Sequence, residues 1–502
     1  MTLNKRNLLI KSVFALSFLW VCHSIAQEEE AIAADKKIES GSYNFSLEEA
    51  TRLALHNNFD IQLTKYDIWI SRTRKGAAES LYDTLFEADI NYQNDQSKQT
   101  STLLGTKSLL NNYNIGLSKK IPSGTTLSLD MTNNRNWTNS PFAVFSPSHD
   151  SALKMTVEQA LGKNFFGIQD RGSVKVTKFQ IEQTHYSSLE KIEKEIARVQ
   201  KAYWDLALAI ERKKIAAQMF EQAERLFRLH EEKSKDGLTE LPELYAAEAN
   251  YKTRLTEHLI AENEVKAKTN VLKLLLNIAE DIPQIRAVDE MVVSLENMPF
   301  NQALAAALEN RRDYQAGLTQ VRQRDVELAM NKNSLWPEIN LTASLARNGL
   351  GDHFSQAVRQ ISEEDNPDLF AGLKISWPLE NTKAKAQVDQ AQIQKARALV
   401  NLKFIERKIF ISVADRVRDC NILMEKARSH QEITKLQELK LNGEQKRFNA
   451  GRSETDTIIR FQEDLLKAKW EAAQAAYEYQ VSKIDLKLEQ GILLSEYWDG
   501  EL

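Results

Sequence analysis

The chain has 502 residues, with 66 lysines and arginines against 70 aspartates and glutamates, for a net charge of −4. That balance excludes the strong basic excess of a nucleic-acid binder. Only 17 glycines and 9 prolines occur, and long stretches hold neither, so most of the chain reads as uninterrupted helix.

At the N-terminus Lys5, Arg6 and Lys11 precede an apolar run over 12–22, and Ser24 and Ala26 stand where a signal peptidase reads. Residues 1–26 therefore read as a secretory signal. A lipoprotein signal is the competing reading, since Leu19 lies three before Cys22, but Trp20 and Val21 suit a lipobox poorly. Removal of the signal leaves Cys420 as the sole cysteine, and one thiol makes no internal disulfide. No other apolar run approaches the ~20 residues of a transmembrane helix. A membrane role would have to use strands.

After an N-terminal extension over 27–44, a first repeat spans 45–277, with a short helix and a helix over 46–85, a β segment over 86–161 and helices over 171–277. In the β segment Ala88, Ile90 and Tyr92 alternate with polar residues, as do Leu153, Met155 and Val157. Between them Ile115 and Leu117, a Pro122-Ser123-Gly124 turn, and Leu127, Leu129 and Met131 suggest a further hairpin within 113–134. It either widens a barrel or extends an external loop. If it lies near the outer surface, a tag at Ser123 would be accessible on intact cells.

From Arg171 to Asp236 nothing breaks the helical pattern, which at ~1.5 Å per residue allows on the order of 100 Å. Ile192, Ile196, Val199, Tyr203, Leu206 and Ile210 follow coiled-coil spacing. Ala202, Ala207, Ala209, Ala216 and Ala217 lie off that seam and imply neighbours on two sides. The helix stops at Gly237 and another starts within a few residues, which makes an antiparallel hairpin.

A linker over 278–297 leads to a second repeat over 298–491, with helices over 299–335 and 381–491 around a β segment over 337–379. There Ile339, Leu341, Ala343 and Leu345 alternate, then Leu369, Ala371, Leu373, Ile375 and Trp377; residues 492–502 form a short tail. The repeats match without a gap at an offset of 214, as in Val174 and Val388, Asp205 and Asp419, Gly237 and Gly451, and Glu240 and Glu454. The leading helices match at 253, through Leu55 and Leu308, Asn57 and Asn310, and Asp60 and Asp313. Aligning Asp89–Asn91 with Glu338–Asn340 gives 249, leaving 35 surplus residues in the first repeat.

Unpaired strand edges in lipid cost several kcal/mol per orphaned group, so such a chain must oligomerise. The other reading from periodicity is a non-channel periplasmic coiled-coil structural protein, which leaves the alternating strands unexplained. The eight histidines are scattered and no phosphate loop or nucleophile elbow occurs, so no catalytic residue, metal or cofactor is expected. Trp204 and Phe220 read as packing residues.

The order of helices, strands and long hairpins, twice over, resembles the TolC family of outer-membrane efflux and secretion channels. The segments carrying the likeness are Ser46–Ala50 (SLEEA), Leu55–Asp60 (LHNNFD), Ile375–Leu379 (ISWPL), Arg447–Glu454 (RFNAGRSE) and Gln462–Leu465 (QEDL) with Tyr477. The resemblance implies a mainly α homotrimeric tube with a β membrane portion, in which a transmembrane β-barrel continues into an α-helical barrel in the periplasm of a Gram-negative cell. It also implies outer-membrane lipid, a periplasmic adaptor protein and an inner-membrane pump or ABC transporter as partners, in efflux or type I secretion.

Carried over by position, the adaptor-docking tips fall on Gly237, Leu238 and Thr239 and on Gly451, Arg452 and Ser453. The same glycines also suit plain helix C-caps. A periplasmic gate falls on Glu240, Glu243, Phe448, Asp456 and Arg460. The family places an acid six residues past each glycine; Glu243 fits, but the second repeat has Thr457 there with Asp456 one earlier, and Arg460 stands nine past. Arg452, Glu454, Asp456 and Arg460 are expected to pair, within or between protomers, with Glu240 and Glu243.

Overall fold

The computed structural model describes residues 42–98, 105–236, 240–278, 284–293 and 299–498. The signal over 1–26, with Cys22, lies outside them, as do the tip residues Gly237, Leu238 and Thr239. In chain order the elements are β1 (Ser42–Phe45), α1 (Leu47–Asn57), α2 (Phe59–Glu79), β2 (Thr84–Asp95), β3 (Ser108–Ile121), β4 (Thr125–Thr138), β5 (Ser148–Ala160), α3 (Ile168–Lys235) and α4 (Leu241–Leu276). There follow β6 (Gln284–Ala287), α5 (Phe300–Asn310), α6 (Arg312–Asn333), β7 (Glu338–Gly351), α7 (Phe354–Glu363), β8 (Pro367–Ser376), α8 (Thr382–Asn449) and α9 (Thr455–Gln490).

The long hairpins repeat residue for residue. α3 and α8 are 68 residues each, α4 and α9 are 36 each, and both pairs start 214 positions apart. Over the leading segment 46–85 two helices form, α1 and α2. Ser46 and Glu49 close a capping box on α1. The chain then bends at Asn58, whose side chain accepts from the Ile61 N–H to cap α2 and donates to the Leu275 carbonyl at 2.8 Å. In the second repeat Arg311 holds the bend between α5 and α6.

Six strands form one antiparallel sheet in the order β2-β3-β4-β5-β7-β8. The further hairpin, β3 and β4, is thus part of the sheet and widens it. β2 starts at 84 and β7 at 338, while their apolar faces, on Phe86 and on Ile339, align at 253. The expected offset of 249 was slipped by four residues, so the surplus is 39 residues rather than 35. A period-two pattern fixes which face a residue occupies but not its position along the strand.

The Pro122–Gly124 turn is also not at the far end of the sheet. A Cβ on Gly124 would meet the Gly167 nitrogen at 2.8 Å, which places this turn beside the start of α3, at the helix-proximal end. The far ends carry the 139–147 connection and α7, which lies over Gly349 against β7 and β5, on the sheet's apolar face.

The helices form two tiers. Beside the sheet the order of neighbours is α2-α3-α6-α8; farther away it is α4-α3-α9-α8. At the junction β1 and β6 pair in parallel, joining residues read as extension and linker. The Tyr203 hydroxyl ties them in, donating within reach of the Phe45 carbonyl (2.9 Å) and the Asp289 carboxylate (2.8 Å) and accepting from the Val288 N–H (3.1 Å). Leu493 and Leu494 of the tail are buried in the same core.

Candidate functional site

The sheet has one apolar and one polar face, continuous through all six strands. One row in register reads Phe86, Leu117, Leu129, Met155, Leu345, Leu369. One residue along each strand, on the other face, the row reads Glu87, Gly116, Asp130, Lys154, Ala346, Asp368. Gly116 leaves room for its neighbour, since a Cβ there would lie 2.7 Å from Asp130 Oδ1. Apolar outside with polar inside is the pattern of a barrel wall in lipid. No helix among the described residues is long and apolar enough to cross a membrane.

The wall is open at both sides. Among the described residues β2 and β8 have no strand partner on their outer edges, and apolar residues there are the most exposed of the sheet: Ile90 at 76% and Leu369 at 77%. The helical tier is open on the same two sides. α2, next to β2, exposes Phe59, Leu63, Tyr66 and Ile70, and α8, next to β8, exposes Ile393, Val400, Phe404 and Ile411. Steps of three, four and seven put each set on one helical stripe.

At the other end of the molecule, α8 closes on a glycine cap. Gly451 has φ +69°, its N–H donates to the Phe448 carbonyl at 2.9 Å, and the Arg452 N–H donates to the Arg447 carbonyl at 2.9 Å. Gly451 and Arg452 are exposed, Ser453 half-buried. Behind them Leu226, Ala247 and Ile458 form a small core, with Phe448 packed on it. The structure brings Glu243 and Phe448 to one residue that sequence reasoning missed, His230. It is 1% exposed, lies 3.1 Å from the Thr455 hydroxyl, 3.9 Å from Glu243 and 6.4 Å between ring centres from Phe448. Burial pushes its pKa below the usual histidine range, and Lys233 adds to this against the opposing pull of Glu243. A lone histidine outside any motif gave no signal in the sequence.

Glu240, Asp456 and Arg460 are exposed at this tip. Arg460 stands over the Phe461 ring at 5.6 Å, and among the described residues no ion pair within the chain joins it to Glu240 or Glu243. Arg460 thus makes no such pair within the chain among the described residues: the helical phase that packs Ile458 and Gln462 inward turns it outward. A second missed residue is Arg254, with a 6% exposed side chain 2.9 Å from Glu257 and 3.4 Å from Glu463, which ties the two hairpins together.

Residues 303–490 match the family model described as outer membrane efflux protein. No curated protein sequence gives a significant match. Among solved structures, the CmeC outer membrane channel of Campylobacter jejuni is similar at 16% identity and TM-score 0.64, covering 89% of this chain and 85% of its own. CusC is similar at 14% identity and TM-score 0.66, covering 92% and 95%. The open state of the Neisseria gonorrhoeae MtrE outer membrane channel is similar at 15% identity and TM-score 0.62, covering 91% and 94%. The second repeat thus matches the outer membrane efflux protein family, and nearly the whole chain shares its fold with outer membrane channels of known structure.

Proposed function

We propose that three copies of this chain form a passive exit duct in the outer membrane, with the sheet in the bilayer and the long hairpins reaching into the periplasm. The observation that carries this reading is the pair of matched open sides: β2 with α2 on one, β8 with α8 on the other. Each side is an edge that water tolerates poorly through its apolar stripe and that lipid tolerates worse through its unpaired backbone. A copy of the chain satisfies both at once, because β8 runs toward the helices and β2 away from them, so the two meet antiparallel. Closure then turns the apolar face to lipid and the polar face, with Asp130 and Lys154, to a water-filled lumen.

The duct would serve a tripartite efflux pump or a type I secretion system, drawing its energy from an inner-membrane pump or ABC transporter. Its periplasmic end is the natural gate. An adaptor would dock on Gly451, Arg452 and Ser453 and on their counterparts Gly237, Leu238 and Thr239, and open the end by binding the open state better than the closed one. Glu240, Asp456 and Arg460, exposed and with no ion pair to one another among the described residues, would meet their partners across protomers.

Fractionation and detergent-solubilised mass test the reading: the protein should leave cells with the outer membrane and run as three chains. Recovery as a soluble monomer overturns it. A tag in the 140–145 connection should be reached on intact cells, whereas one at Ser123 should need a permeabilised outer membrane.

A further inference from the structure

The two tiers of one protomer have nearly equal widths, provided that all six strands count. Four helices abreast, at ~8–10 Å between axes, take up about 30–40 Å of circumference. Six strands ~4.7–4.9 Å apart, tilted by ~35–45°, take up about 35–40 Å. Four strands, the number that one hairpin per repeat would supply, take up only about 25 Å. The β3–β4 hairpin is what makes the widths agree.

The register carries the same message. The row through Thr84, at the helix-proximal end of β2, passes Lys119, Leu127, Val157 and Ala343 and reaches Ala371 in β8, five residues before that strand ends at Ser376. The strand ends thus step by about one residue per strand, which corresponds to a tilt near ~35° and fits a closed barrel. One further step of this size, with apolar faces kept together, sets Ile375 opposite Phe86 of the next copy and Leu373 opposite Ala88.

We propose that all six strands enter the wall, so that three protomers close an eighteen-stranded cylinder about as wide as the helical tube, sealed by pairing β8 with β2 of the next protomer in that register. The inference rests on the trimeric channel reading above. It makes the membrane tier no narrower than the helical one, so that selection of cargo by size falls to the periplasmic tip.

Cysteine cross-linking in native membranes tests the seam, in a Cys420→Ser background. Ala88→Cys with Leu373→Cys should oxidise to covalent trimers and dimers that reduction dissolves, as should Tyr92→Cys with Leu369→Cys, which guards against one pair failing to assemble. Ala88→Cys with Leu369→Cys, four residues out of register, should yield at least ten-fold less. The mass of the unoxidised assembly is measured separately. A three-chain assembly whose in-register pairs stay unlinked, or in which electron microscopy counts twelve strands, overturns the inference and leaves the trimer standing. A mass other than three chains overturns the trimer itself.

Discussion

The first and second repeats share their long helices residue for residue and differ in their sheets, four strands against two. They also differ where the leading helices bend. Asn58 and Arg311 occupy matching positions and reach for matching carbonyls, of Leu275 and of Glu489. Yet Asn58 does this as a neutral cap, while Arg311 also forks onto Asp313 at 3.0 and 2.8 Å and bonds the Glu489 carboxylate. A 68-residue helix must keep phase with its neighbours along its whole length, so one inserted residue would misplace every later contact. A sheet has no such memory from strand to strand, and a bend needs only its hydrogen bonds met. What is conserved between the halves is phase.

Breaking the bend in each repeat should expose that difference. Arg311→Ala leaves the half-buried Asp313 and Glu489 carboxylates without their guanidinium, a change that approaches but stays below the ~3–5 kcal/mol of a fully buried pair. Burial works against the Asp313 carboxylate, and Arg311 still holds it below the usual range. Asn58→Ala removes one cap and one buried bond, about 1–2 kcal/mol. Thermal melting in detergent should therefore fall further for Arg311→Ala, and equal losses would show that the two bends are energetically alike. Because the Asp313 pKa is lowered, its contribution is complete above the ordinary carboxylate range and is lost as pH falls below it.

Smaller effects are expected at the tips, where helix ends alone are at stake. Nothing lies within 4 Å of a Cβ on Gly451, so Gly451→Ala should cost only the left-handed backbone, about 1–2 kcal/mol, and leave assembly unchanged. Gly451→Asp should likewise assemble while transport is lost, and normal transport would remove this turn from the docking surface. The smallest effect concerns His230. With its pKa lowered by burial, the neutral ring's contribution is full above the usual histidine pKa of ~6.5 and declines as pH falls below it. Proteolysis of the tip should quicken on mild acidification in the native protein, and His230→Gln should flatten that dependence.

The helices were legible because heptad spacing over dozens of residues fixes phase as well as type; their ungapped offset of 214 could be read from residues such as Asp205 and Asp419. The sheet was legible in its faces but not in its register, since alternation survives a shift of four. β1 and β6 escaped because four residues each are too few to alternate, and α7 because ten residues after a glycine-rich strand end read as loop. At the tip the glycines announced themselves, while His230, Arg254 and the outward turn of Arg460 depend on how two hairpins separated by 214 positions pack, which no local pattern encodes.

The β3–β4 hairpin leaves and rejoins the sheet at the same end, entering after β2 and handing over to β5. An insertion of this kind has even parity: it reverses direction twice, so every strand downstream still points as it did and α3 still starts at the helix-proximal side. A single added strand would have delivered α3 to the far end of the sheet. In the ring proposed above, such an insertion adds two strands per protomer and leaves the direction of every later strand unchanged.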